Sequence, residues 1–155
     1  YDGNALLLSF LMVIFYAGAS ASNFLMIRLM PLIKPGRIFL LMQLSRMLIL
    51  GLIWLEPAFW IFALACVGWG LNMGVTMTLA RTIVQESATA EFRARIMSIY
   101  SLGLLGSAPI GALILGRVIE SLGILNALIP AMTISILLFL YGVIFTNVYK
   151  YRSPS

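Results

Sequence analysis

The side chains that could do chemistry in this chain are few, and several are polar groups set inside apolar stretches. Arg46 lies near the middle of one apolar run, together with Gln43 and Ser45, and Asn72 lies within the next run. Inside a bilayer such groups need a protein partner or a water-filled cavity, because lipid chains offer no hydrogen bonds. Arg46 and Asn72 therefore indicate contacts between helices or contacts with a polar solute.

Catalytic constellations are missing from the sequence. It has no histidine, its single cysteine is Cys66 within an apolar run, and its five acidic residues lie outside the apolar runs. Neither a nucleophile–base pair nor a metal-ligand cluster nor a phosphate-binding loop can be assembled from these residues. We therefore expect a protein that is not an enzyme and that uses no metal and no cofactor.

The composition is that of a membrane protein. The chain is 62% hydrophobic and 10% charged, with a mean hydropathy of +1.06, which is more apolar than soluble domains are. The net charge of +5 does not indicate nucleic acid, because the basic residues lie between apolar runs, as they do in cytoplasmic loops. The expected partner is the lipid bilayer.

The apolar runs predict five transmembrane helices in a single membrane domain over residues 1–155. Runs of about eighteen or more apolar residues are long enough to span a bilayer. Proline, glycine and charged residues separate the runs. The predicted helices cover residues 4–27, 38–55, 58–80, 96–119 and 124–148.

The basic residues are unevenly divided between the two ends of these helices. One end, which also holds the C-terminus and the two longer loops, carries eight of them, whereas the other carries only Arg117. The eight are Arg28, Lys34, Arg37, Arg81, Arg93, Arg95, Lys150 and Arg152. The positive-inside rule then predicts a multi-pass protein with a cytoplasmic C-terminus. We expect its membrane to be the plasma (inner) membrane.

The apolar run from Ile96 to Leu115 contains many small residues and an internal proline. In a helix interior glycine costs roughly 1 kcal/mol and proline about 3 kcal/mol relative to alanine. A bilayer still enforces the helix, and small residues let neighbouring helices approach closely. We expect packing or kink positions at Gly103, Gly106, Pro109, Gly111 and Gly116, and at Gly70 and Gly74, which form a GxxxG motif.

Residues 85–116 resemble a pattern of the major facilitator superfamily. The segment reads Gln85, then Glu91-Phe92-Arg93-Ala94-Arg95-Ile96-Met97-Ser98, then Gly106-x-x-Pro109-Ile110-Gly111-Ala112-x-x-x-Gly116. It is similar to the penultimate loop and helix of the branch that holds the enterobactin and macrolide efflux permeases. Thr89 stands where that family usually has proline, and Ala94 replaces the glycine between the two arginines.

The resemblance implies a fold and a function. The chain would be a five-helix portion of the C-terminal six-helix bundle of a twelve-helix, all-α fold, preceded by a missing N-terminal half that is its partner. The function would be efflux of a small-molecule substrate by proton-coupled alternating access. The coupling carboxylate would lie in the missing half, so this portion alone would be inactive.

The resemblance also implies site residues. The helix that contains Asn72 and Thr76 would border the central cavity, which makes both residues candidate substrate contacts. Trp69 lies on the same helical face, and Ser107 on the glycine-containing helix completes the set of candidates. The alternative for Asn72 is a hydrogen bond between helices, worth below about 2 kcal/mol.

Further alternatives remain open at two places. Arg46 binds a buried partner or an anionic substrate, or else it is structurally paired or extends toward the membrane surface. Glu91, Arg93 and Arg95 form a cytoplasmic latch in one transport state, or else they anchor a loop at the membrane.

Two other functions compete with the exporter. One is the membrane subunit of an ATP-driven permease, for which the loop 81–95 would have to supply a coupling helix. The other is a membrane scaffold that transports nothing.

Overall fold

A computed structural model describes residues 4–29, 34–146 and 148 of the chain. The described residues form five α-helices and no strand, so the predicted all-α fold is confirmed. The helices are α1 (Ala5–Leu29), α2 (Pro35–Trp54), α3 (Phe59–Ser87), α4 (Arg93–Leu122) and α5 (Leu128–Ile144).

Four of the helices, α1 to α4, are long and apolar enough to cross a membrane. The fifth, α5, is apolar but has only 17 residues, or roughly 26 Å at 1.5 Å per residue. Helices satisfy their own backbone hydrogen bonds, which is why an apolar chain of this kind folds into helices in lipid. The chain is thus a helical membrane protein.

Several helix ends differ from the predicted ones. α2 begins at Pro35 rather than at residue 38, since proline is well suited to the first turn of a helix. α5 begins at Leu128 rather than at residue 124, because residues 124–127 form turns. α5 also ends at Ile144, four residues before the predicted end at residue 148, and Phe145 lies in a turn.

The largest difference is the connection between α3 and α4. α3 continues through Arg81 to Ser87, and α4 begins at Arg93, so the connection is residues 88–92 rather than the predicted 81–95. Arginine, glutamine and glutamate are good helix formers, and a helix does not have to stop where it leaves the apolar region. The sequence becomes polar at Arg81, but the helix continues to Ser87.

Four of the helices pack in a row. α3 has α1 on one side and α2 on another, and α2 in turn packs on α5. The closest approach is between α1 and α3, where a methyl group added at Gly70 would fall on the carbonyl group of Phe15. A methyl group at Gly74 would collide with the Ser22 hydroxyl group, so both glycines lie where two backbones meet.

The remaining helix, α4, lies apart from this row. Its main contact is with α3, yet none of its 30 residues is buried. A methyl group added at any of the four glycines within α4 would meet no atom within 4 Å in the described structure. Within the described chain, therefore, the helix with the most small residues is the one that no other helix covers.

Candidate functional site

The best-defined polar site is a contact between the middles of α2 and α3, centred on Asn72. This side chain is only 3% exposed. Its Nδ2 donates one hydrogen bond of 2.8 Å to the Met42 carbonyl oxygen and another of 2.5 Å to Ser45 Oγ. Because a polar group without a partner would be costly at this depth, these bonds hold the two helices in register.

Thr76 lies one turn further along α3 and belongs to the same site. It is 9% exposed, and its Oγ1 donates to Asn72 Oδ1 across 3.5 Å, a long hydrogen bond. The structure therefore places Asn72 and Thr76 together, both buried between helices.

The other two cavity candidates lie elsewhere. Trp69 is half-buried and meets the Phe15 ring of α1 edge to face, with ring centres 5.7 Å apart. Ser107 lies exposed on α4, where its Oγ donates a 2.9 Å hydrogen bond to the Leu104 carbonyl oxygen. The four candidates do not line one common space in the described chain, and their contact with a substrate stays a prediction.

Two polar side chains of α2 have buried atoms without a hydrogen-bond partner. Gln43 is 3% exposed and its Oε1 accepts no hydrogen bond, while Nε of the half-buried Arg46 donates none. From the sequence we predicted Arg46 as a site residue but not Gln43. Their spacing of three residues, which puts two side chains on one helical face, was the signal available.

The latch residues Glu91, Arg93 and Arg95 are all exposed at the connection between α3 and α4. Glu91 lies in the turn, which is closed by a 2.9 Å hydrogen bond from Arg93 N–H to the Thr89 carbonyl oxygen. The two arginines occupy the first turn of α4, not a loop as predicted. Cations are slightly disfavoured at a helix N-terminus, so their own helix does not account for their position.

A cavity of about 620 Å³ lies at the opposite ends of the helices, between the α2–α3 turn and the α4–α5 connection. Its lining is apolar except for Glu56, whose φ of 49° is in the left-handed region. Trp54 Nε1 donates a 3.5 Å hydrogen bond to Asn126 Oδ1 and joins the same two segments. Sequence reasoning missed this cavity, because it read residues 124–127 as helix. The lining residues are Ile53, Glu56, Pro57, Ala58, Phe62, Ile124, Leu125 and Leu128.

These features define the chain as a helical membrane protein with a polar contact buried between two of its helices. Comparison with models of protein families, with curated proteins and with solved structures finds no match. The resemblance to efflux permeases of the major facilitator superfamily therefore stays a prediction.

Proposed function

We propose that this chain is part of a multi-pass transporter, not an enzyme, that exports a small molecule by alternating access, with α4 at the boundary between its two moving parts. The other part is the N-terminal half that the sequence resemblance implies. The observation that carries the proposal is the uncovered α4.

α4 presents two series of small residues, each with the four-residue spacing at which helices approach closely. One series is Gly103, Ser107 and Gly111, and the other is Ala108, Ala112 and Gly116. At 100° per residue the two series begin about 140° apart around the helix. All of these residues are exposed, so α4 offers close-packing surfaces on two sides, and the described chain covers neither.

Such a helix suits alternating access. Transporters of this kind bind the substrate near the middle of the membrane, between two halves that rock against each other. Glycine and serine surfaces have no interlocking side chains and therefore let a neighbouring helix slide. Pro109, which lies inside α4, removes one backbone hydrogen bond and makes the helix easier to bend. The four-helix row of α1, α3, α2 and α5 would then be the rigid part.

The five-residue connection at 88–92 does not favour the ATP-driven permease. α3 runs directly to Ser87 and a single turn leads into α4, so the described connection contains no separate helix for a nucleotide-binding partner. The outward direction of transport and the proton coupling rest on the sequence resemblance alone.

Two-sided chemical labelling tests the proposal without knowledge of the substrate. In the full-length protein with Cys66→Ala, Ser107→Cys should react with a membrane-impermeant thiol reagent added from either side of the membrane. Alternating access opens the boundary around α4 to each side in turn, which is the reason for this expectation. Ser135→Cys is the matched control, because Ser135 is 3% exposed on α5 and should be protected from both sides. Protection of Ser107→Cys from both sides, or labelling from one side only, would favour a static scaffold.

A further inference from the structure

The cation in the middle of α2 faces the enclosed side of that helix. At 100° per residue, Arg46 lies on the side that carries Leu50 and Ile53, both of which are buried. The opposite side carries Leu41 and Leu48, which are exposed by 50% and 69%. Arg46 therefore points away from the side that α2 shows to lipid.

No carboxylate of the described chain lies at this depth. Glu56, at the end of α2, is ten positions beyond Arg46, or roughly 15 Å along the axis. The other described acids are also at helix ends or in turns, namely Glu86, Glu91 and Glu120. A guanidinium group at the centre of a bilayer costs about 2.5–3.5 kcal/mol on insertion scales, and such groups are normally paired. None of the described carboxylates is therefore placed to neutralise this guanidinium group.

The two unsatisfied atoms beside each other on α2 are complementary. Arg46 Nε is a donor and Gln43 Oε1 is an acceptor, and side chains three residues apart on a helix can meet. On one helical face the Gln43 amide oxygen and Arg46 Nε could therefore bond to each other. The groups left over would be the Gln43 Nε2 and the two terminal nitrogens of Arg46, all of which are donors. A set of donors without an acceptor fits a carboxylate, which arginine binds with two parallel hydrogen bonds.

We propose that Arg46 and Gln43 bind the carboxylate group of an anionic small molecule, and that this molecule belongs to the substrate class of the transporter. Only the statement that this molecule is a substrate rests on the proposed transport function. Binding itself needs only the two side chains on the enclosed face of α2. Asn72 and Ser45 lie next to the site, and the hydrogen bond between them fixes α2 against α3. The helix that carries the guanidinium group is therefore held in place.

The test is ligand-induced stabilisation of the purified protein in detergent. The probes are 1-naphthoate and its uncharged analogue 1-naphthamide, which has nearly the same shape and apolar area. Naphthoate at millimolar concentration should raise the midpoint of thermal unfolding by about 2–4 °C, the size of shift that a modest ligand gives a chain of this length. Naphthamide should leave the midpoint unchanged.

Substitutions show which side chains are responsible for the thermal shift. Arg46→Gln should abolish the shift, and Arg46→Lys should reduce it, since lysine keeps the charge but loses the planar fork. Gln43→Leu should reduce it as well. Arg81→Gln, which changes an exposed arginine near the end of α3, is the matched control and should keep the full shift. If Arg46→Gln fails to fold, Arg46→Lys and Gln43→Leu still decide the matter.

Three results would overturn the proposal: equal shifts with both probes, a shift that survives Arg46→Gln, or no shift with naphthoate in the unaltered protein. The last result would leave Arg46 with its alternative roles, a structural pairing or an extension toward the membrane surface. Failure of two-sided labelling at Ser107 would remove the transport function and leave carboxylate binding in place, so the two failures are distinguishable.

Discussion

Asn72 shows what a single side chain contributes in this protein. The sequence left it open between a substrate contact and a bond between helices. In the structure its amide nitrogen bonds to the Met42 carbonyl oxygen and to Ser45 Oγ. The sequence could not decide between the two, because the neighbour of Asn72 depends on how α2 and α3 are rotated against each other. If Asn72 also contacts a substrate, these bonds have to break when the substrate binds.

Replacing Asn72 by alanine should destabilise the protein by roughly 0.6–1.7 kcal/mol, the range measured for hydrogen bonds between membrane helices. Unfolding of the purified protein in mixed micelles measures the change. Ser107→Ala is the control, since that hydroxyl group bonds only within its own helix, and it should have no measurable effect. Equal stability of Asn72→Ala and the unaltered protein would show that the bonds to α2 contribute nothing.

Burial gives a second expectation for the same residue. In a Cys66→Ala background, Asn72→Cys should resist a water-soluble thiol reagent, because the position is 3% exposed. Rapid labelling, at a rate similar to that of an exposed position such as Ala90→Cys, would instead place Asn72 on an open cavity.

The glycines of α3 and those of α4 form two groups that the sequence alone could not separate. It predicted close packing both for the GxxxG pair of α3 and for the glycines of α4. In the structure, α1 covers Gly70 and Gly74, whereas nothing in the described chain lies against the glycines of α4. Spacing along one helix shows that a helix can pack closely, but it does not say which partner packs there.

A pair of matched substitutions tests this division. Gly70→Ala should destabilise the chain by about 1–3 kcal/mol, because the new methyl group meets the Phe15 carbonyl group and the two backbones must separate. In the 155-residue chain by itself, Gly103→Ala should be neutral or stabilise by up to roughly 1 kcal/mol through helix propensity. Thermal unfolding in detergent compares them. A similar loss from both substitutions would mean that another surface covers α4 in the purified protein.

The two arginines in the first turn of α4 allow a test of the latch. If they form a latch in one transport state, Arg93→Ala and Arg95→Ala should change the ratio of labelling rates of Ser107→Cys from the two sides of the membrane. The amount of protein in the membrane should stay the same. Arg81→Ala, on α3, is the control. An unaltered ratio in both variants would leave these arginines with the anchoring role alone.

For the whole molecule, the sequence predicted the number, order and type of the helices, because long apolar runs leave a chain in lipid no alternative to helix. It misplaced the boundaries at 81–95 and 124–127, where local polarity was the only guide. It did not predict the row of α1, α3, α2 and α5 or the separation of α4 from it. Those relations depend on contacts between residues far apart in the chain, and a single sequence does not reveal such contacts.

The proposed function requires that these helices cross a lipid bilayer in succession, with the basic connections in the cytoplasm. The direct measurement is labelling of single cysteines in a Cys66→Ala background with a membrane-impermeant reagent, applied to intact cells and to inverted membrane vesicles. Ala90→Cys and Ser121→Cys suit it, because both positions are exposed at opposite ends of α4. We expect Ala90→Cys to react only in inverted vesicles and Ser121→Cys to react only in intact cells. Labelling of both from the same side, or of Ala90→Cys in intact cells, would contradict it.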